Sequence, residues 1–279
     1  MRRRTLSTLL SKRKSERGLG AIPSPPDVRD FKIATVAGVL PEEFELDPVK
    51  VKNQGSVGSC VAHTLAEIVE WHCTKETQTT EQVSTDYIYG NRRNTLYKNS
   101  GMVVREAISS VVDYGDCLEA DLSGNHEVPK AIEIFEQNVD SLKDKALPRR
   151  FTAYVRLHSD DEIKTALMNY GPVVIVTPWF TDIKYANGIL DSESRKEANG
   201  AHCMMLYGWN KRGWLVQNSW GSRWGNKGRC IMPFGYPFSE AWGISDTLSG
   251  EDSFKKPYSS CIGKIIAKIV NALLRWRKK

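Results

Sequence analysis

The chain has 279 residues, 41% of them hydrophobic and 26% charged, enough apolar surface for a core, which excludes global disorder. Six cysteines are too sparse for a disulfide-stapled miniprotein, and no apolar run reaches the roughly 18 residues that a membrane-spanning helix needs. The net charge of +6 is uneven: residues 1–18 carry +6, residues 251–279 carry +6 and the body between them −6, so a basic nucleic-acid-binding body is excluded while the two ends stay available to polyanions or an anionic membrane.

Residues 1–20 read as a basic flexible arm. Their one apolar stretch, Leu6 to Leu10, is too short and polar for a signal-peptide core, so a soluble protein of the cytoplasm or another reducing compartment is expected. Residues 21–50 read as an extended segment: Ala21 to Pro26 is rich in proline and must stay stretched, and Asp27 to Asp47 is expected to lie across the body surface. Within it, Asp27 to Leu40 has no helical pattern and is expected as a permanent extension.

Residues 51–140 read as a helical lobe. Gly55, Gly58 and Ser59 form a loop, and apolar residues at 61, 62, 65, 68, 69 and 71 fit the 3.6-residue period of a buried helix starting at or just after Ser59, a good N-cap type. Val103 to Tyr114 predicts a second helix ended by Gly115, and Lys130 to Lys145 a more exposed one. Asp160 to Tyr170 predicts a helix stopped by Gly171-Pro172, and from there the texture changes. Val173–Val176, Cys203–Gly208 and Trp214–Gln217 are short β-prone runs, so residues 141–250 read as a β-rich lobe. Helices first and strands later predict an α+β protein of two segregated lobes with a cleft between them. In residues 262–279 apolar side chains at 262, 265, 266, 269, 270, 273 and 276 alternate with basic or polar ones. This cationic amphipathic tail suits an anionic membrane interface, a protein partner's groove or the chain's own body.

Three stretches carry chemistry. Val51 to Cys60 places a cysteine where a glycine-rich loop meets a helix N-terminus, and unpaired N–H groups and the positive end of the helix dipole there favour thiolate. Asn199-Gly200-Ala201-His202 opens a strand, and Gln217 to Gly225 holds Asn218 and Trp220. A nucleophilic cysteine needs a base and a group that orients that base; Cys60, His202 and Asn218 supply those types, and the amide of Gln54 with the Cys60 N–H could hold an oxyanion. Taken singly, each has a plainer explanation: a buried thiol, a satisfied core histidine, a turn residue, core aromatics. The combination in order is what argues for catalysis.

These residues resemble the papain-like cysteine proteases. Gln54 to Cys60 is similar to that family's Gln-Gly-x-x-Gly-Ser-Cys, Asn218 to Gly225 to its Asn-Ser-Trp-Gly-x-x-Trp-Gly, and Tyr170 to Val173 to its Gly-Pro-Val strand entry. His202 follows Cys60 by 142 residues and Asn218 by 158, similar to the family's spacing. The resemblance spans residues 38–235. It implies a two-lobed fold, helical lobe plus antiparallel β lobe, with Cys60 as nucleophile, His202 as base then acid, Asn218 as orienter and Gln54 as oxyanion donor. It also implies that Trp220 shields the His–Asn bond, and that Gly58, Ser59, Ser100, Gly101 and Ala201 border the substrate cleft with it. A peptide or protein substrate follows, with neither metal nor organic cofactor. Val57 stands where the family has a disulfide cysteine and Val61 where it has tryptophan. Cys73, Cys117, Cys203, Cys230 and Cys261 contain no Cys-x-x-Cys pair, which argues against zinc, and His63 and His72 are expected to be structural. Two other readings stay open: an acyl-transfer or amide-hydrolysing enzyme with the same machinery, and a non-catalytic peptide-binding homologue.

Overall fold

The computed structural model describes residues 17–27, 40–180, 183–190 and 198–245. The amphipathic tail and nearly all of the expected Asp27–Leu40 extension therefore lie outside the described residues. In chain order the elements are β1 (Ala21–Ile22), β2 (Phe44–Glu45), α1 (Cys60–Thr77), α2 (Thr85–Gly90), β3 (Met102–Val103), α3 (Val104–Tyr114), α4 (Lys130–Ala146), β4 (Ala153–Leu157), α5 (Asp160–Asn169), β5 (Val173–Phe180), β6 (Tyr185–Ala186), β7 (Ile189–Leu190), β8 (Ala198–Asn210), β9 (Gly213–Gln217), β10 (Arg229–Met232) and β11 (Glu240–Ser245).

The architecture is the expected α+β type. The large sheet runs β4-β11-β5-β8-β9-β10-β7-β6, with β2 paired to β8, so part of the segment read as surface-laid belongs to the sheet. All of its pairs are antiparallel except β10 with β7. Each strand of this sheet that carries chemistry is central: β8 lies between β5 and β9 and holds His202, and Asn218 follows β9. No helix among the described residues is long and apolar enough to cross a membrane.

Helix α1 is the axis of the molecule. Its apolar face, including Val61, Leu65, Ile68 and Val69, is fully buried against Val174, Val176, Cys203 and Met205 of the sheet. The opposite sheet face packs Ile175, Met204, Leu206 and Trp214 with Ile163 and Leu167 of α5. Val61 is wholly buried in the first core, so the smaller side chain at that position is accommodated by packing. The five described cysteines form no disulfide.

Periodicity does not explain why polar residues of α1 are also buried. Glu67 Oε1 accepts the Lys52 N–H at 3.1 Å, Glu70 pairs with the Lys52 ammonium at 2.7 Å, and that ammonium also donates to the Val83 carbonyl at 3.0 Å. Buried charge is tolerated only when paired in this way. The consequence is positional, because these bonds fix the strand-like stretch that leads into Gln54.

Candidate active site

Cys60 is the first residue of α1 and has no accessible surface. Ser59 is the N-cap by position, yet its side chain does not cap the helix; the hydroxyl meets Asn125 Oδ1 and His63 Nδ1, both at 3.2 Å. His63 is structural, with its Nδ1 3.1 Å from the Ser59 carbonyl and its pKa pushed down to about 3 by burial. Opposite α1, His202 Nε2 donates to Asn218 Oδ1 at 2.8 Å, and both residues are fully buried. An amide oxygen facing Nε2 puts the proton there and leaves the Nδ1 lone pair for a second partner. Nδ1 has no hydrogen-bond partner among the described residues. Trp220 covers the pair, its ring stacked on the imidazole at 4.5 Å and 27°.

Gln54 is pinned from both sides. Its Oε1 accepts the Ser219 hydroxyl at 2.6 Å, its N–H donates to the Ser219 carbonyl at 2.8 Å, and its carbonyl accepts from Asn125 Nδ2 at 2.8 Å. With the amide oxygen so held, Nε2 donates one N–H to the Val57 carbonyl at 2.8 Å within its own loop and turns the other to the cleft. Ser219 therefore orients the Gln54 side-chain amide, and Asn125 holds its backbone. Neither was singled out from the sequence, although Ser219 sits inside the Asn-Ser-Trp-Gly stretch.

The cleft is filled by the chain itself. Residues 17–24, which include the end of the arm expected to be flexible, pack along it, so that expectation is corrected for Arg17 to Gly20. The Gly18 carbonyl accepts from Gln54 Nε2 at 3.0 Å, and the Gly18 N–H donates to Gly55 O at 3.2 Å. Cys60 has the backbone N–H groups of Cys203, Gly20, Val61 and its own residue as polar neighbours; Cys203 follows His202 directly, so the helix tip meets the histidine strand. Then β1 pairs in parallel with β3, and the Ser24 N–H bonds to the buried Glu240 carboxylate, which also accepts from Trp242 Nε1 at 2.8 Å. A Cβ at Gly18 would stand 1.9 Å from the Val57 carbonyl oxygen, and one at Gly20 1.8 Å from that of Gly58. Only glycine permits so close an approach.

This cover sets the electrostatics. Burial pushes the Cys60 thiol up from 9.0 to about 11, against the opposing pull of the surrounding N–H groups. The thiolate preference expected at a helix N-terminus is thus overridden by desolvation. Burial likewise lowers His202 to about 4, partly offset by the Asn218 bond, with the Arg17 charge lowering it further.

The remaining expected cleft residues divide. Gly58 is buried under Gly20, and a Cβ added to it would meet Ser100 Oγ at 2.6 Å. Ser100 Oγ also meets Glu127 at 3.3 Å. Gly101 spends both backbone groups within its own lobe: its N–H goes to the Tyr89 hydroxyl at 3.1 Å and its carbonyl accepts from Arg92 Nη1 at 2.9 Å. The donor to the chain in the cleft is instead Met102 N, bound to Gly20 O at 2.8 Å. Ala201 pairs with Pro178 at the mouth of β8. Among the described residues, no group of three or more potential ligands could hold a metal ion.

A model of the papain family cysteine proteases matches residues 45–237 of this chain. An uncharacterized peptidase C1-like protein of Acanthamoeba polyphaga mimivirus is 25% identical over 80% of this chain and 84% of its own length. Human cathepsin O is 26% identical over 72% of this chain, which spans 61% of cathepsin O. Among solved structures, xylellain, a cysteine protease from Xylella fastidiosa, superposes with a TM-score of 0.72 at 24% identity, covering 84% of this chain and 98% of xylellain. A cysteine protease of Carica candamarcensis superposes with a TM-score of 0.57 at 18% identity, covering 74% of this chain and 99% of that one.

Proposed function

We propose that this chain, which belongs to the papain family of cysteine proteases, hydrolyses internal peptide bonds through a thioester on Cys60, with His202 as proton carrier, Asn218 as orienter and Gln54 as oxyanion donor. One observation carries the reading: a peptide carbonyl, that of Gly18, already accepts the Gln54 amide at 3.0 Å in a cleft where a neighbouring N–H meets Cys60. A carbonyl so held is where negative charge would grow on attack by sulfur.

The reaction divides into two halves. Sγ of Cys60 attacks the carbonyl carbon, and the oxyanion is held by Gln54 Nε2. The C–N bond then breaks as His202 protonates the departing nitrogen. Water attacks the thioester carbon, its proton passes to His202, and the C–S bond breaks to release the acid. Asn218 keeps the second imidazole proton on Nε2, so that Nδ1 is the atom that works. Cleavage within a chain is favoured over trimming of ends because residues 17–24 lie along the cleft as one continuous stretch. An extended substrate would add to the Met102–Val103 edge where β1 now lies. The same segment is the cover that has to leave first. A reducing compartment suits a nucleophile that must stay a thiol and five cysteines without a disulfide.

Peptide-library cleavage by wild type beside Cys60→Ala, read by mass, tests the proposal. Fragment pairs whose masses sum to the parent's plus one water, absent from Cys60→Ala, are expected. Identical digests from both proteins would refute it.

A further inference from the structure

The segment in the cleft also reports which side chains its walls accept. Arg17 stands at the end next to His202, so the segment runs along the cleft in the direction opposite to a substrate. Its side chains, rather than its chain direction, stand in for those of a substrate. Its guanidinium carbon is 5.0 Å from the centroid of the Trp220 ring, and Nη1 donates to the Trp220 carbonyl at 3.4 Å. Among the described residues this cation meets an aromatic face and a carbonyl and no carboxylate. The Trp220 ring is held in place before anything binds. It stacks on His202, and Trp179 and Trp224 brace it edge-on at 4.7 and 5.5 Å. An aromatic face carries negative charge density and attracts cations, arginine above all because its flat, weakly hydrated head can stack. A rigid ring adds the benefit of little reorganisation on binding.

Chemistry decides which half of a substrate meets this wall. His202 must hand its proton to the departing nitrogen, and Trp220 lies directly on His202, so the wall borders the leaving side of the cut. We propose that the Trp220 ring and its backbone carbonyl form a leaving-side subsite that selects a cationic side chain, arginine before lysine, in the residues just after the cut, and that Arg17 fills this subsite while the cleft is covered. The inference rests on the peptidase reading and names the substrate class for that same site. A cation seated there also makes the neighbouring imidazolium a stronger acid toward the leaving amine, the direction in which the Arg17 charge already acts on His202.

Capture of an acyl-enzyme by amines isolates the leaving side. Full-length protein is acylated with N-benzoylglycine methyl ester: the Cys60 sulfur–acyl bond forms, the ester C–O bond breaks, and methanol departs with the proton from His202. Water or an added amino-acid amide then attacks the thioester, gives its proton to His202 and releases the cysteine. Argininamide is expected to be captured about fivefold better, relative to water, than citrullinamide, its neutral near-isostere, and Trp220→Leu is expected to bring the two capture ratios together. Arg17→Ala is expected to acylate severalfold faster than wild type, and Arg17→Lys to fall between them. Equal capture of argininamide and citrullinamide by wild type would overturn the subsite while leaving the peptidase reading intact. Absence of any acyl-enzyme, in wild type and in the uncovered Gly20→Ala variant alike, would overturn that reading and the subsite with it.

Discussion

The two walls of the cleft are in different states. On the β side His202 and Asn218 are joined at 2.8 Å beneath Trp220, and nothing about that pair needs to be rebuilt. On the helix side the geometry of the loop is equally complete, with Gln54 locked by Ser219, yet the Cys60 thiol is pushed up to about 11. The difference is solvent. Residues 17–24 cover the sulfur, and the N–H groups around it, of which Gly20 supplies one and Cys203, Val61 and Cys60 the rest, compensate only in part. The His202–Asn218 and Ser219–Gln54 bonds are in place, and burial disfavours the charged forms of both Cys60 and His202.

The harshest way to break this comparison is to remove one wall. Cys60→Ala should lower kcat/KM by at least about 1,000-fold, with folding unchanged by circular dichroism, since a nucleophile has no substitute. Asn218→Ala should cost about 10- to 100-fold by freeing the imidazole to rotate, and should show mainly in kcat.

Lifting the cover sharpens the comparison instead. Gly20→Ala puts a methyl group 1.8 Å from the Gly58 carbonyl oxygen and should displace the segment. Alkylation of Cys60 by iodoacetamide at pH 7.5 should then rise at least about tenfold, while wild type stays slow.

Acid should lift the same cover. His202 is held near 4 when covered, against an ordinary 6.5, so the uncovered form binds more protons between those values. Stability of the covered form is therefore complete above 6.5 and is lost as pH falls toward 4, by of order 3 kcal/mol. Cys60 acts at the other end: its covered value of about 11 lies above that of the uncovered thiol, so the cover loses stability as pH rises through the uncovered midpoint toward 11. Protection factors of the residue 17–24 amides, with the intrinsic base-catalysed exchange rate divided out, should be highest near neutral pH and fall on both sides. A flat profile would separate the cover from both titrations.

The smallest effect is expected at the brace. Ser219→Ala removes the 2.6 Å bond to Gln54 and should cost several-fold in kcat, because the oxyanion donor loses its orientation and keeps its chemistry.

How much of this was legible beforehand depended on range. Helix α1 announces itself through local periodicity and the strands β5, β8 and β9 through short β-prone runs, and Cys60, Gln54, His202 and Asn218 each sit inside a multi-residue stretch. Helix α2 escaped because its six residues give no period to count. The burial of Glu67 and Glu70 was hidden because their partner, Lys52, comes from a loop that spacing alone does not bring near. The cover was misread for the same reason: Arg-Gly-Leu-Gly-Ala looks like a loose arm, and its fit to the cleft is set by carbonyl groups of residues 57 and 58 and by Trp220, which lies about 200 positions away. That Met102 N, beside the expected cleft residue Gly101, is the donor to Gly20 O depends on Tyr89 and Arg92 taking the glycine's own groups, again a contact between distant elements.

The central claim is that sulfur and imidazole form one charge-sharing unit once uncovered. Its most direct test is the pH dependence of Cys60 alkylation in Gly20→Ala and in the double variant Gly20→Ala/His202→Ala. The account predicts a midpoint well below 9.0 in the first and a return to about 9 in the second. A midpoint that stays the same when His202 is removed would contradict it.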